Sequence, residues 1–229
     1  MGKIIVIEGT DGSGKQTQAK KLCERLKAEG FNVMQTSFPN YESPSSSPVK
    51  MYLGGELSQN AKEIDAYQSS VLFAVDRLCT MISLKEFYEK GGIIILDRYV
   101  QSNMIHQAGK IYDLEERDEY LEWLNELEFD KLKLPKADLV VFLDVPTNVS
   151  QKLAMERKEL KNGKAKDIHE SDKNHLQDAY NAGKYVSQKY NWTEIDCVDA
   201  EGNLKSIDEI HQQIYNQVKE RVISNSISL

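Results

Sequence analysis

The segment Gly9-Thr10-Asp11-Gly12-Ser13-Gly14-Lys15 lies between four β-forming residues, Ile4 to Ile7, and a helical stripe of Ala19, Leu22, Cys23 and Leu26. Strand, glycine loop and helix in that order leave the chain few folds. The loop must turn several backbone N–H groups inward together, and glycines supply the dihedrals this requires. A helix that starts at Lys15 aims its partly positive end at the same point. The pattern G-x-x-x-x-G-K in this setting is a cradle for a nucleotide polyphosphate, with Lys15 reaching the outer phosphates. Gly30 is the expected C-cap of that helix. One position departs from the pattern. The residue after the lysine ordinarily carries a hydroxyl for magnesium, and here it is Gln16.

The rest of the chain alternates. Strand-like runs fall at 3–8, 32–36, 93–97, 138–143 and 194–198. Helical patterns fall at about 15–29, 61–90, 113–130, 147–160, 172–190 and 206–223. The runs at 93–97 and 138–143 are nearly all apolar, as in a parallel sheet covered on both faces. This predicts an α/β chain, a three-layer P-loop fold with a five-stranded parallel sheet flanked by helices, as one domain over 1–229. Ligands then bind at the carboxyl ends of the strands. Ser206 and Glu209 form a capping box for the last helix.

A net charge of −7 argues against nucleic acid or an acidic membrane as partner. No apolar run reaches membrane-spanning length, and Ile4 to Ile7 is too short for a leader. Cys23, Cys79 and Cys197 are odd in number and far apart, which suits reduced thiols and a cytoplasmic location. Residues 43–48, rich in Ser and Pro, read as a loop. The nine acidic residues of 113–130 read as a solvated helix face, and His175 and His211 as helix-surface residues. Five cations within 157–166 read as a mobile cationic flap, with Gly163 as a hinge.

A second cluster sits downstream. Asp97-Arg98-Tyr99 ends a buried strand and so faces the ligand crevice. Arg77 adjoins a helical stripe of Ile64, Tyr67, Val71, Val75, Leu78 and Ile82, which is expected to be buried. A cation there needs a partner, and Asp76, adjacent on a helix, points elsewhere. Phe38-Pro39-Asn40-Tyr41 follows the second strand and offers an aromatic wall. Passing a phosphoryl group to an acceptor phosphate brings two anionic groups together, and arginines suit their neutralisation.

Taken in chain order, these motifs resemble the thymidylate kinase family of P-loop nucleoside monophosphate kinases. The resemblance rests on Glu8 to Lys15, Phe38 to Tyr41, Phe73 with Asp76-Arg77, Asp97-Arg98-Tyr99 with Ser102-Asn103, Leu143 to Pro146, and Arg157 with Asp167 to Glu170. It implies transfer of the γ-phosphoryl group of ATP to dTMP, with Mg2+ as cofactor. It implies ATP contacts from Gly9, Thr10, Asp11, Gly12, Ser13, Gly14, Lys15, Gln16, Thr17 and Arg157. It implies that Phe73 stacks on thymine, Arg77 bonds its O4 edge, Phe38 packs near the methyl group and Asn103 adds a polar contact. Tyr41 would lie by the sugar and help exclude a 2′-hydroxyl. Arg98 and Asp11 would handle the acceptor phosphate, with Ser102, His169 and Glu170 also on the acceptor side. Asp11, Lys15, Arg98 and Arg157 would be catalytic, and Asp11 and Asp97 would hold the metal. The flap would be a mobile lid over about 157–171.

The family is usually homodimeric through helices such as 61–90. Gln16, Ile168 and His169 depart from its usual residues, and His106 falls where some relatives carry Tyr near the sugar. Three alternatives remain at this stage. One is a deoxyribonucleoside kinase, another a nucleotide binder without turnover. The third is a GTP switch, for which the guanine reader Asn-Lys-x-Asp is missing from the sequence.

Overall fold

Every residue of strand β1 (Lys3–Glu8) after Lys3 is buried. Successive side chains of a strand point to opposite faces, so β1 must be covered on both. Ile5 and Ile7 enter one core with Leu22, Leu26, Ile210 and Ile214. Ile4 and Val6 enter a second with Met104, Tyr120, Phe142 and Val186. Two apolar cores on one sheet give a three-layer α/β architecture.

A computed structural model describes residues 1–58, 63–160 and 173–224, apart from the side chains of 154–160 and 173. The other strands are β2 (Val33–Ser37), β3 (Ile93–Asp97), β4 (Leu139–Asp144) and β5 (Thr193–Asp196). Their order is β2-β3-β1-β4-β5, all parallel. The chain winds to one side of β1 and then crosses to the other. That switch opens a crevice at the carboxyl ends of β1 and β3. Ile7 is in register with Asp97, which sets the glycine loop beside Arg98.

Helix α1 (Lys15–Ala28) follows the loop, and Gly30 lies one residue past its cap, Glu29, with φ 89°. The stretch expected to be a loop at 43–48 is instead a 3₁₀ turn, Pro44–Ser46, running into α2 (Ser47–Leu53). Ser43 caps it and prolines occupy early helical positions, which favours initiation. Helix α3 (Ala66–Glu89) begins at an Asp65–Gln68 capping box, and residues 61–62 of its expected start lie outside the described residues.

The expected burial of the α3 stripe is corrected. Tyr67, Val71, Val75 and Ile82 are all more than a third exposed. The face turned inward is Ser69, Ser70, Ala74, Asp76, Arg77 and Thr80. Small and polar residues make up most of the α3 face that borders the crevice, Ala66 and Met81 join the second core with Leu78, Leu84 and Phe87 packed against it, and Tyr67, Val71, Val75 and Ile82 stay outside.

Helix α4 (Val100–His106) follows β3 at once and is absent from the periodic reading, being only seven residues long. Helix α5 (Leu114–Asn125) runs into a π-helical turn, Glu126–Lys131. Helices α6 (Thr147–Leu160), α7 (Lys173–Lys189) and α8 (Ile207–Val218) follow, the last with the Ser206–Glu209 capping box. His211 is buried in α8 rather than on its surface, because it falls beside Ile210 and Ile214 on the packed face. Cys23 and Cys197 are buried free thiols and Cys79 an exposed one. No described helix is long and apolar enough to cross a membrane.

Candidate active site

The loop after β1 closes on itself. Gly9, Gly12 and Gly14 have φ of 150°, 84° and 87°, a region that L side chains rarely enter. At Gly9 a Cβ would also come within 2.6 Å of Ser13 Oγ and 3.0 Å of the Leu143 carbonyl. Lys15 is buried, and its ammonium donates to the Thr10 carbonyl at 2.7 Å and reaches Ser13 Oγ at 3.4 Å. Burial, and then the nearby Arg98 cation, push the Lys15 amine down to about 8. Gln16 is exposed at the first turn of α1 and Thr17 half-buried one residue later.

Arg98 leaves β3 with a φ of 73°, a conformation that costs energy for any residue with a Cβ and is held by the surroundings. Its guanidinium pairs with the Asp11 carboxylate of the loop. Burial opposes both charges. The pairing wins, holding Asp11 well below the usual carboxylate range and Arg98 above the usual guanidinium range. Glu8 anchors the next turn, accepting from the Tyr99 amide at 3.0 Å and from Ser102 Oγ at 2.9 Å. Its burial raises the Glu8 carboxyl.

On its other side Arg98 meets a histidine pair. Arg98 Nη1 lies 3.1 Å from His106 Nε2, and His106 Nδ1 lies 3.4 Å from His175 Nε2. Arginine has no acceptor, so His106 Nε2 accepts and its proton sits on Nδ1, pointing to His175. The rings stack at 5.6 Å and 20°. Burial lowers His106 well below its ordinary value, the Asp11 carboxylate opposing this and the Arg98 cation adding to it, in keeping with a neutral ring that accepts from Arg98. His175 is therefore not the surface residue expected. It is buried at the start of α7, where α4 packs against it.

Beside this cluster opens a cleft at the crevice. Asp11, Arg98, Ser102 and His106 line one end. Phe38, Tyr41, Phe73, Arg77 and Asn103 are also among its lining residues. So eight of the ten residues the resemblance puts on the acceptor side border one cavity. The other two, His169 and Glu170, lie outside the described residues, as does the side chain of Arg157. Phe38 is buried and packs 5.8 Å from the Tyr99 ring, and Tyr41 is half exposed. Asp76 fastens this wall to α3, accepting from the Asn40 amide at 2.8 Å and Ser45 Oγ at 2.7 Å. Asp97 is buried at the end of β3 beside the loop.

A model of the thymidylate kinase family matches residues 7–214. The chain belongs to that family. A thymidylate kinase from Mycobacterium tuberculosis is 32% identical over 74% of this chain and 78% of its own length. A probable thymidylate kinase from Thermococcus gammatolerans is 30% identical over 98% of this chain and 99% of its own. A thymidylate kinase from Plasmodium falciparum is 30% identical over 95% and 90%.

For a chain of the thymidylate kinase family, two residues near the cleft, Glu128 and His175, were not legible in the motifs. Arg77 pairs with Glu128, both fully buried, across 51 positions of sequence. Glu128 sits in the acidic 113–130 stretch, whose other carboxylates are exposed or half-exposed, so no local signal separates it. His175 is the other. A helix-surface position for His175 followed from α7 alone, and only the neighbouring α4 buries it.

Proposed function

We propose that the Gly9–Thr17 loop and the adjoining cleft are the donor and acceptor halves of one phosphoryl-transfer site. The protein phosphorylates dTMP to dTDP with ATP as donor. The observation that best supports the residue roles is the Asp11–Arg98 pair, which joins the two halves.

The loop amides and the start of α1 take the donor phosphates. Lys15 leaves the Thr10 carbonyl and meets the outer phosphates, whose charge holds its proton more tightly. Arg98 stands where the acceptor phosphate meets the γ-phosphate and offsets their repulsion. A preorganised donor of this kind contributes about 10²–10³ in rate. Asp11 keeps Arg98 charged and aimed, and orients the acceptor phosphate. Ser102 lies on the acceptor side, though its hydroxyl already donates to Glu8. Phe73 and Phe38 sandwich the thymine region, and Arg77 and Asn103 meet its polar edge. Tyr41 covers the sugar. Arg157, His169 and Glu170, in a lid over about 157–171, close on the nucleotides and expel water.

Magnesium suits the oxygens that are present. Mg2+ takes oxygen ligands and keeps several waters. Asp97 and Asp11 supply carboxylates at the loop, and the buried Thr10 hydroxyl has no hydrogen-bond partner among the described residues. Asp97 and Asp11, through water and phosphate oxygens, would hold the ion, and it would neutralise charge on the transferring group. No group of three His, Cys, Asp or Glu gathers among the described residues, so phosphates and water would complete its shell.

The exposed apolar stripe of α3 supports a homodimer packed through that helix, consistent with the family's habit. A cytoplasmic setting suits the free thiols. Purified protein with ATP, magnesium and dTMP tests the reading. Formation of dTDP is expected, and its absence at high enzyme concentration contradicts it.

A further inference from the structure

Arg77 and Glu128 are 1% and 0% exposed. Taking two charges out of water is costly, and apolar residues of similar volume often stabilise a fold as well. The pair therefore calls for a use beyond stability. Its geometry is one-sided. Arg77 Nε donates to Glu128 Oε1 at 3.1 Å, and Nη2 donates to the same oxygen. The opposite nitrogen, Nη1, has only the Tyr99 carbonyl and Asn103 Oδ1, both at the long distance of 3.5 Å. Arg77 and Asn103 border the cleft, while Glu128 does not. Glu128 reaches inward from the π-helical turn Glu126–Lys131, a local irregularity of the kind often found at functional sites.

We propose that Glu128 is a positioning residue for base selection. It grips the Nε–Nη2 edge of Arg77 and leaves Nη1 as an under-used donor aimed at the ring edge of the acceptor. A pyrimidine 4-carbonyl accepts from Nη1. The 4-amino group of a cytosine presents hydrogens there and meets a donor with a donor. Asn103, whose Nδ2 lies a long 3.5 Å from the Ser70 carbonyl, stands ready beside it. The proposal rests on the dTMP-kinase reading, in which Arg77 meets the 4-oxo group, and adds that Glu128 holds Arg77 in the pose that makes this selection.

The test uses Glu128→Gln, which keeps the shape and removes the charge. KM for dTMP should rise about tenfold or more, the scale of one charge-assisted hydrogen bond. KM for ATP should change by no more than about twofold. The ratio of kcat/KM for dUMP over dCMP, which differ at the 4-substituent and the proton on N3 and both lack the methyl group, should fall. In an Arg77→Met background the same substitution should add nothing, because it acts through Arg77. Where Glu128→Gln does not fold, Glu128→Asp reads the same ratios.

A lowered melting temperature with unchanged KM for dTMP and unchanged dUMP-over-dCMP ratio would overturn the proposal. So would a full additive effect in the Arg77→Met background. Wild-type turnover of dTMP is read in the same assay. If it is present and the variant behaves as wild type, only the Glu128 role fails. If it is absent, both readings fail.

Discussion

Asp11 and Arg98 pair across the junction between the phosphate loop and the end of β3. Donor and acceptor halves are thus tied by one ion pair, and His106 holds the free arm of the same guanidinium. Arg98→Ala should lower kcat/KM for dTMP by about 10²–10³-fold, the scale of a lost transition-state donor. KM for ATP should stay near the wild-type value. Arg98→Lys should recover little, since an ammonium cannot span Asp11 and phosphate with a planar fork. Steady-state kinetics against each substrate checks this, and an equal rise in both KM values contradicts it.

Lys15 supplies the pH dependence. Its free-enzyme pKa is pushed down to about 8 by burial and the Arg98 charge. Binding of polyphosphate requires the charged form. As pH rises through about 8, the free enzyme loses that proton, so kcat/KM for ATP should fall. The nucleotide complex holds the proton more tightly, so kcat should persist to higher pH. A kcat/KM profile flat to about pH 10 would mean that Lys15 keeps an ordinary pKa.

Gln16 bears on the metal. Its side chain is exposed at the first turn of α1, where a hydroxyl residue is usual. Gln16→Thr should lower the magnesium concentration needed for half-maximal rate by a few-fold, at roughly constant KM for dTMP. Titration of the rate with magnesium at fixed ATP reads it. An unchanged curve would place the side chain at 16 outside the ion's shell.

The outer face of α3 bears on assembly. Val71 and Val75 are 44% and 42% exposed, one helical turn apart. Val75→Glu should convert a dimer to a monomer by sedimentation velocity, because a charge at the centre of an apolar contact is left unsolvated. A wild-type protein that sediments as a monomer at micromolar concentration contradicts the dimer.

Legibility in the sequence followed the range of the interactions. The β1–loop–α1 unit is local, and glycine dihedrals and the apolar stripe of α1 were readable from one unbroken stretch, Lys3 to Ala28. Strands β3 and β4 were equally plain, since burial on both faces leaves an unbroken apolar run. Helix α3 was found, but its faces were inverted. Much of its inward face is small and polar where it borders the cleft, so four residues of the apolar stripe, Tyr67, Val71, Val75 and Ile82, marked the outer surface, while Leu78 packs on the core. Helix α4 is too short to show a period. On the site side, Arg98 and Phe73 were reached through motifs. The partners that aim them, Glu128 for Arg77 and His106 with His175 for Arg98, come from other helices and leave no pattern of spacing.

The most direct test of dTMP as the acceptor is a single product assay. The purified protein is given ATP and magnesium with dTMP, dUMP, dCMP, AMP or thymidine in parallel, and kcat/KM is measured for each. The expected result is dTDP formed from dTMP, with kcat/KM above that for every other acceptor and no phosphorylation of thymidine. Preference for thymidine over dTMP would contradict the placement of Arg98 on an acceptor phosphate, and with it the proposed roles of the whole cleft.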